Sequence, residues 1–255
     1  LALAAPFLVL WTIAPVAAFW LSLPLDVRVR PLSDRDRAVL RRATRKTWRY
    51  FDTFATEAEG WLAPDNFQEH GDAPKVARRT SPTNIGMGLL SALAAHDLGY
   101  LSTDALRRRL DATLTTLESL ERHSGHFLNW YDTATLTPLH PRYVSTVDSG
   151  NLAGALIALT QGLLQLVDAP QTLAQRLSGL ADAADLLAEV SSLMDGHADR
   201  RQAVSEINRL ARAIVTAVRD DAPEEERLAA VQGFGAQLAS AAAAVESAEQ
   251  SAAGP

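Results

Sequence analysis

Residues 1–25 carry no charged side chain, and the pattern changes abruptly at Asp26. A helix needs about 20 apolar residues to cross a hydrocarbon core of roughly 30 Å, so residues 1–25 are read as a transmembrane helix. Pro6, Pro15 and Pro24 would interrupt a helix in water, whereas within a membrane bundle neighbouring helices re-satisfy the freed carbonyls. Trp11 and Trp20 suit the interfaces. The rival reading, a cleaved signal peptide, lacks both a basic first segment and a small-residue cleavage site before Asp26. Residues 26–59 then read as a basic juxtamembrane helix, with Arg28, Arg30, Arg35, Arg37, Arg41, Arg42, Arg45, Lys46 and Arg49. Ser33 is placed to cap it, and Val39, Leu40, Ala43, Thr47, Tyr50, Phe51 and Phe54 follow at helical spacing. Positive charge next to a span marks the cytoplasmic side and the neighbourhood of anionic lipid.

From Gly60 to Pro82 the periodicity disappears and the chain reads as a long loop rich in polar and turn-forming residues. Thr83 or Asn84 starts an apolar helix over Ile85–Leu98, which Gly99 ends. Ser102 or Thr103 caps the next, Leu106–Leu120, giving a helical hairpin. Leu152–Val167 predicts a buried helix, and three more are expected near Thr172–Met194, Arg200–Val218 and Pro223–Ala248. The small residues that finish the chain predict a frayed or disordered end, placed at residues 249–255. No alternating run is long enough to predict a sheet. The fold class is therefore all-α, with paired helices and functional loops at one end suggesting an α/α toroid.

The stretch Gly125–Gly154, between these helices, holds the densest candidate chemistry. Asn129, Trp130, Tyr131 and Asp132 stand together, and Asp148, Ser149, Gly150 and Asn151 directly precede the apolar run. Carbohydrate recognition needs paired donors and acceptors for hydroxyls and an aromatic platform for the C–H face of the ring. Each residue also has a structural reading: Trp130 and Tyr131 as core aromatics, Asp132 as a turn residue, Asp148 or Ser149 as a helix N-cap. In the preceding loop Asp65, Asn66, Gln68 and Glu69 can bind hydroxyls, and Arg78 and Arg79 can pair with carboxylates and hold the loop shut.

Composition narrows the alternatives. The 255 residues are 47% hydrophobic, enough for a sizeable core, and a net charge of −6 argues against nucleic acid as a partner. The absence of cysteine excludes disulfides, thiolate metal sites and a cysteine nucleophile. His123 and His126 have no carboxylate at ligand spacing, so no metal site is expected. The chain starts at Leu1 rather than at methionine, and reads as a piece of a longer protein.

Several segments, in order, resemble the cyclic β-1,2-glucan synthases, large bacterial membrane enzymes. They are Trp48-Arg49-Tyr50-Phe51, Pro64-Asp65-Asn66-Phe67-Gln68-Glu69, Arg79-Thr80-Ser81-Pro82-Thr83-Asn84-Ile85-Gly86, Gly125-His126-Phe127-Leu128-Asn129-Trp130-Tyr131-Asp132 and Tyr143-Val144-Ser145-Thr146-Val147-Asp148-Ser149-Gly150-Asn151-Leu152-Ala153-Gly154. Arg78 stands where many relatives carry histidine. The resemblance covers residues 1–167 best, and implies the last membrane span and first part of a middle α/α-barrel module that closes the glucan ring by transglycosylation. Residues 60–169 would supply glucan-binding loops and the first barrel helices, and 170–248 further helices.

By that resemblance Asp65, Asn66, Thr80, Asn84, Asn129, Trp130, Tyr131, Asp132, Asp148 and Asn151 surround a glucan cleft. Glycosyl transfer uses two carboxyl groups across the scissile bond. Asp148 is the first choice for one of them and Asp132 the second, with a partner carboxylate expected outside this chain. No cofactor is expected here, since UDP-glucose and any metal would belong to a separate glycosyltransferase module. Expected partners are β-1,2-glucan, membrane lipid and the remaining modules of such a synthase, at the inner membrane with the body on the cytoplasmic side. Two alternatives stand beside this reading: a membrane-tethered helical interaction module without catalysis, and a glycosidase of the same fold acting on another glycan.

Overall fold

The computed structural model describes residues 4–23, 31–69, 73, 75–193 and 198–252, side chains of 198–200 and 247–252 excepted. Arg28 and Arg30 of the basic stretch lie outside these. The chain divides into two compact units, Leu1–Ala38 and Val39–Pro255.

In the first unit, α1 spans Ala5–Ser22 with Pro6 in its first turn, Pro15 in its interior and no buried residue. Among the described residues it is one of three helices long and apolar enough to cross a membrane. Helix α2, Asp34–Phe54, starts as the sequence predicts. The Asp36 amide donates to Ser33 Oγ at 3.2 Å, and the Ser33 hydroxyl donates to Asp36 Oδ2 at 2.6 Å.

The second unit is helical throughout its body, in keeping with the all-α expectation. It contains the rest of α2, α3 (Pro82–Asp97), α4 (Thr103–Ser119), α5 (Thr146–Asp168), α6 (Leu173–Leu193), α7 (Ala198–Arg219) and α8 (Glu224–Ala252). Helices α3 and α4 form the predicted hairpin, with Gly99 at φ +83° in the turn and Ser102 capping α4. Helix α5 then lies parallel to α3. A Cβ on Gly86 would meet Ala155 at 2.8 Å, and one on Gly162 would meet Leu93 at 2.3 Å, so both helices advance together from their N-termini. Two parallel helices with an antiparallel return between them make one step of a helical-hairpin toroid. One core joins them, built on Trp48, Phe51, Leu62, Ile85, Leu89, Leu106, Tyr131 and Leu152. A second core, with Leu177, Ala181, Ile214, Val218 and Val231, lies within α6–α8.

The local sequence departs from expectation in four places. The loop regions form three two-stranded antiparallel ribbons, β1 (Asn66–Gln68) with β2 (Lys75–Ala77), β3 (Arg79–Thr80) with β6 (Tyr131–Asp132), and β4 (Arg122–His123) with β5 (His126–Phe127). Each is too short for a hydrophobic alternation to register. Helix α5 begins at Thr146, six residues before the apolar run, because Ser145 is its N-cap; neither Asp148 nor Ser149 is. Helix α8 continues to Ala252, so the expected disordered end from residue 249 is helical there, and residues 253–255 lie outside the described ones.

The fourth departure concerns α2. Of the apolar positions at helical spacing, Val39 is 61% and Leu40 51% exposed, while Phe51, together with Trp48, carries the burial. The packed side includes Arg41 and Arg45, both half-buried. Arg41 Nε donates to Asp182 Oδ1 at 3.0 Å, and Arg45 lies 5.4 Å from the Tyr100 ring centre. Arg42 and Lys46 share Glu189 of α6. Part of the basic face is therefore a seat for α6. At the lower end of α2, Arg109 donates to the Phe51 and Ala55 carbonyls at 2.7 and 2.9 Å; the first also accepts the Ala55 amide at 3.0 Å, and the second lies just past the last helical residue. Trp48 and Trp61 flank its guanidinium at 5.1 and 5.4 Å.

Helix α6 reaches the α3–α4 turn by direct backbone contact. A Cβ on Gly99 would sit 2.0 Å from the Gln175 carbonyl oxygen, and one on Gly179 2.3 Å from the Gly99 oxygen. Gln171 donates to the His96 and Leu101 carbonyls at 2.6 and 2.9 Å, and Tyr100 donates to Asp182 Oδ2 at 2.8 Å. Burial, the largest influence, together with this carboxylate, pushes the Tyr100 hydroxyl up to about 12. Gly99→Ala combines a left-handed backbone with backbone overlap, and is expected to destabilise the chain by roughly 2 kcal/mol or more. A urea titration checks this, and an unchanged midpoint would mean that α6 does not rest on this turn.

Candidate functional site

Two helix N-termini meet at the centre of the predicted site. Ser81 caps α3, its Oγ accepting from the Asn84 amide at 3.3 Å, and Ser145 caps α5, its Oγ accepting from the Asp148 amide at 3.2 Å. Because α3 and α5 run parallel, both first turns face the same loops. Thr83 on α3 donates its hydroxyl to Asp148 Oδ1 at 2.6 Å, and Ser145 donates to Asp148 Oδ2 at 2.6 Å. Asn151, one turn further along α5, donates Nδ2 to Thr83 Oγ1 at 3.0 Å.

The Asn129 amide completes this arrangement, with its nitrogen facing the carboxylate because that orientation satisfies both ends. It donates to Asp148 Oδ2 at 2.9 Å and accepts from the Tyr143 hydroxyl at 2.7 Å and Trp130 Nε1 at 2.9 Å. Asn129 is itself buried, and its backbone amide donates to the Tyr143 carbonyl at 2.8 Å. Trp130 is thereby locked at its edge. One face of its ring is covered by Arg79, whose guanidinium carbon lies 4.9 Å from the ring centre. Asp65 holds Arg79 in turn, with Oδ2 accepting from Nε at 3.0 Å and from Nη2 at 2.8 Å, while Asn66 Nδ2 donates to the same oxygen at 3.0 Å.

Asp65, Asn66, Arg79, Trp130, Asn129, Asp148, Thr83 and Asn151 thus form one continuous chain of contacts. Around it, Asn66 Oδ1, Thr80 Oγ1, Asn84 Nδ2 and Ser149 Oγ are buried without a hydrogen-bond partner. Such atoms are normally satisfied by water or ligand.

The Asp148 carboxyl lies below its ordinary pKa. Desolvation is the largest single influence and opposes ionisation, but the hydroxyls of Ser145, Thr83 and Ser81 and the Asp148 amide outweigh it together. Asp132 is also lowered, chiefly by the Thr135 amide. That interaction belongs to a turn: Asp132 Oδ1 accepts from the Ala134 amide at 3.0 Å, the Thr135 amide at 2.8 Å and the Thr135 hydroxyl at 3.1 Å. The second-choice carboxylate therefore has its Oδ1 committed to its own loop. Tyr131 is fully buried. Its hydroxyl accepts from the Leu128 amide and donates to the Glu121 carbonyl, both at 2.7 Å, so it anchors the loop from the core side. Thr80 is equally buried, opposite Tyr131 in the β3–β6 ribbon. Arg78 turns away from this centre to Glu59, 3.4 Å from its Nε.

Thr83, Ser145 and Tyr143 were not among the expected site residues. The two serine caps were legible: Ser81-x-x-Asn84 and Ser145-x-x-Asp148 both have a polar residue three places after a serine, the spacing of a reciprocal cap. That Thr83 would face Asp148 depends on the parallel approach of α3 and α5, which no local pattern encodes.

The model of a family described as proteins of unknown function (DUF3131) matches residues 42–176. The cyclic β-(1,2)-glucan synthase NdvB of Rhizobium meliloti is 39% identical over 207 residues, 80% of this chain and 7% of that protein. Two solved structures with a provisional glucoamylase name align at a TM-score of 0.35. The one from Bacteroides fragilis is 20% identical over 75% of this chain and 38% of its own; the one from Bacteroides caccae is 19% identical over 70% and 37%.

Two expected outcomes test this geometry. The Asp148 and Asp132 carboxyls titrate below their ordinary 3.8 in the folded chain, so their stabilisation is complete above that value and is lost as pH falls through the lowered one. Thr83→Val should destabilise by about 1–2 kcal/mol near neutral pH, and by less once Asp148 is protonated. Urea midpoints across the acid range measure both; a pH-independent difference would contradict an ionised Asp148. Arg79→Ala should expose the covered Trp130 face and increase quenching of its fluorescence by acrylamide, and unchanged quenching would contradict the stacking.

Proposed function

The chain belongs to the DUF3131 family, and from its glucan synthase relative and the Asp148 junction we infer that it is a glucan-binding module of a glycosyl-transferring enzyme. The observation that carries this reading is the Asn129 amide, which connects a partly exposed indole with an ionised carboxylate. An aromatic face beside hydrogen-bonding groups fits the two surfaces of a pyranose. Asn66, Asn84, Thr80 and Ser149 add unsatisfied polar atoms for ligand hydroxyls, directly or through water.

The substrate proposed is β-1,2-glucan, and the reaction is closure of the ring by transglycosylation. A carboxylate held ionised is suited to a base, a nucleophile or an electrostatic stabiliser of a developing oxocarbenium ion, and unsuited to protonating a leaving group. Asp148 takes that ionised role. Asp132 serves the turn that orients β6, and the proton donor is proposed to come from the remainder of the longer enzyme, since this chain spans 7% of its relative. Helix α1 is proposed as the tether to the inner membrane, with the second unit on the cytoplasmic side.

Calorimetry of the full chain in detergent with linear β-1,2-glucan oligosaccharides tests the reading. Saturable binding is expected, weakened at least about tenfold by Trp130→Ala or Asp148→Asn, a change of about 1.4 kcal/mol. A folded chain that binds no glucan, or whose binding ignores both substitutions, contradicts it.

A further inference from the structure

Helix α2 turns one face to the protein body and, over its first half, leaves an apolar strip open. Arg41, Arg45, Trp48 and Phe51 face the protein body. On the other side Val39 and Leu40 are 61% and 51% exposed, with Ala43 exposed between them at helical spacing. Beside this apolar strip runs a row of cations at positions 42, 46 and 49, which helical spacing places along one edge. Arg42 and Lys46 share the single carboxylate of Glu189, and Arg49 makes no ion pair among the described residues. Two of these three positive charges are therefore left without a matching negative one. An apolar strip edged by surplus cations is a poor surface for water and a good one for an anionic interface.

We propose that the outward face of α2, Val39, Leu40 and Ala43 with Arg42, Lys46 and Arg49 along its edge, binds the headgroup layer of an anionic lipid bilayer. Charge complementarity selects phosphate-bearing headgroups, and the apolar residues enter the acyl boundary beneath them. The chain itself favours a bilayer over a protein partner. An uncharged helix apolar enough to cross a membrane ends at Ser22, and residues 23–33 join it to α2. Fully extended, that connection reaches at most roughly 40 Å. The inference is independent of glucan binding, because it uses neither Asp148 nor Trp130.

The cysteine-free sequence permits single labels. Leu40→Cys, Ala43→Cys and, as a solvent-facing reference on α4, Glu118→Cys would each carry an environment-sensitive fluorophore in the full chain. The chain is reconstituted into phosphatidylcholine vesicles with or without about 30% phosphatidylglycerol. Labels at positions 40 and 43 are expected to shift to the blue in anionic vesicles. They should be quenched at least about twofold more by nitroxide lipid than the reference, and Arg42→Gln/Lys46→Gln/Arg49→Gln should abolish the excess. Iodide quenching at 40 and 43 equal to the reference in both lipids overturns the proposal. Protection that follows chain density and ignores lipid charge also overturns it, in favour of a second copy of the chain.

Discussion

The arrangement of the candidate site depends on one carboxylate. Asp148 accepts hydroxyl hydrogens from Thr83 of α3 and Ser145 at the head of α5, and an amide hydrogen from Asn129 in the loop between α4 and α5. Without these donors a partly buried carboxyl at this place would tend to take up a proton. With them it is held ionised, and it fixes three chain segments to one another. Negative charge is also favourable in the first turn of a helix, so α5 itself contributes in the same direction.

The packing beneath this junction explains why the helices can meet there. Gly86 lets α3 approach Ala155 of α5, and Gly162 accommodates Leu93 further along, so the two axes stay close over several turns. Tyr131 fastens the loop from below through Leu128 and Glu121, leaving its neighbours Asn129 and Trp130 to face Asp148 and Arg79. Within the short β6 strand alternation separates Tyr131, which enters the core, from Asp132, which closes its own turn. The contact between α6 and the Gly99 turn holds α6 against the α3–α4 hairpin.

Much of this was legible in the sequence. Long apolar periodicities located every helix body, Gly99 marked the end of α3, and the sequence motifs pointed to Asp148, Trp130 and Asn129. The helix starts were less accurate, because Thr146–Asn151 and Pro82–Asn84 are polar and read as loop until their serine caps are recognised. In helix α2 the buried side was not legible for another reason. Its apolar stripe is real, but burial is decided by what arrives opposite it, and Asp182 and Glu189 draw the basic side inward. Tyr131 and Trp130 could not be separated by composition. Tyr131 is set opposite Thr80 by the β3–β6 pairing, whereas Trp130 precedes that strand and meets Arg79, contacts that no local pattern encodes.

The central claim is that Trp130 and Asp148 act as one recognition unit through Asn129. Nitrogen-15 spectra of the five tryptophan indoles, with the Trp130 signal assigned by its loss in Trp130→Phe, test it directly. On titration with linear β-1,2-glucan the account predicts a saturable shift of the Trp130 indole signal, whose N–H is bonded to Asn129, while buried Trp48 stays in place. A Trp130 signal that does not move while the sugar binds would place the glucan elsewhere on the chain.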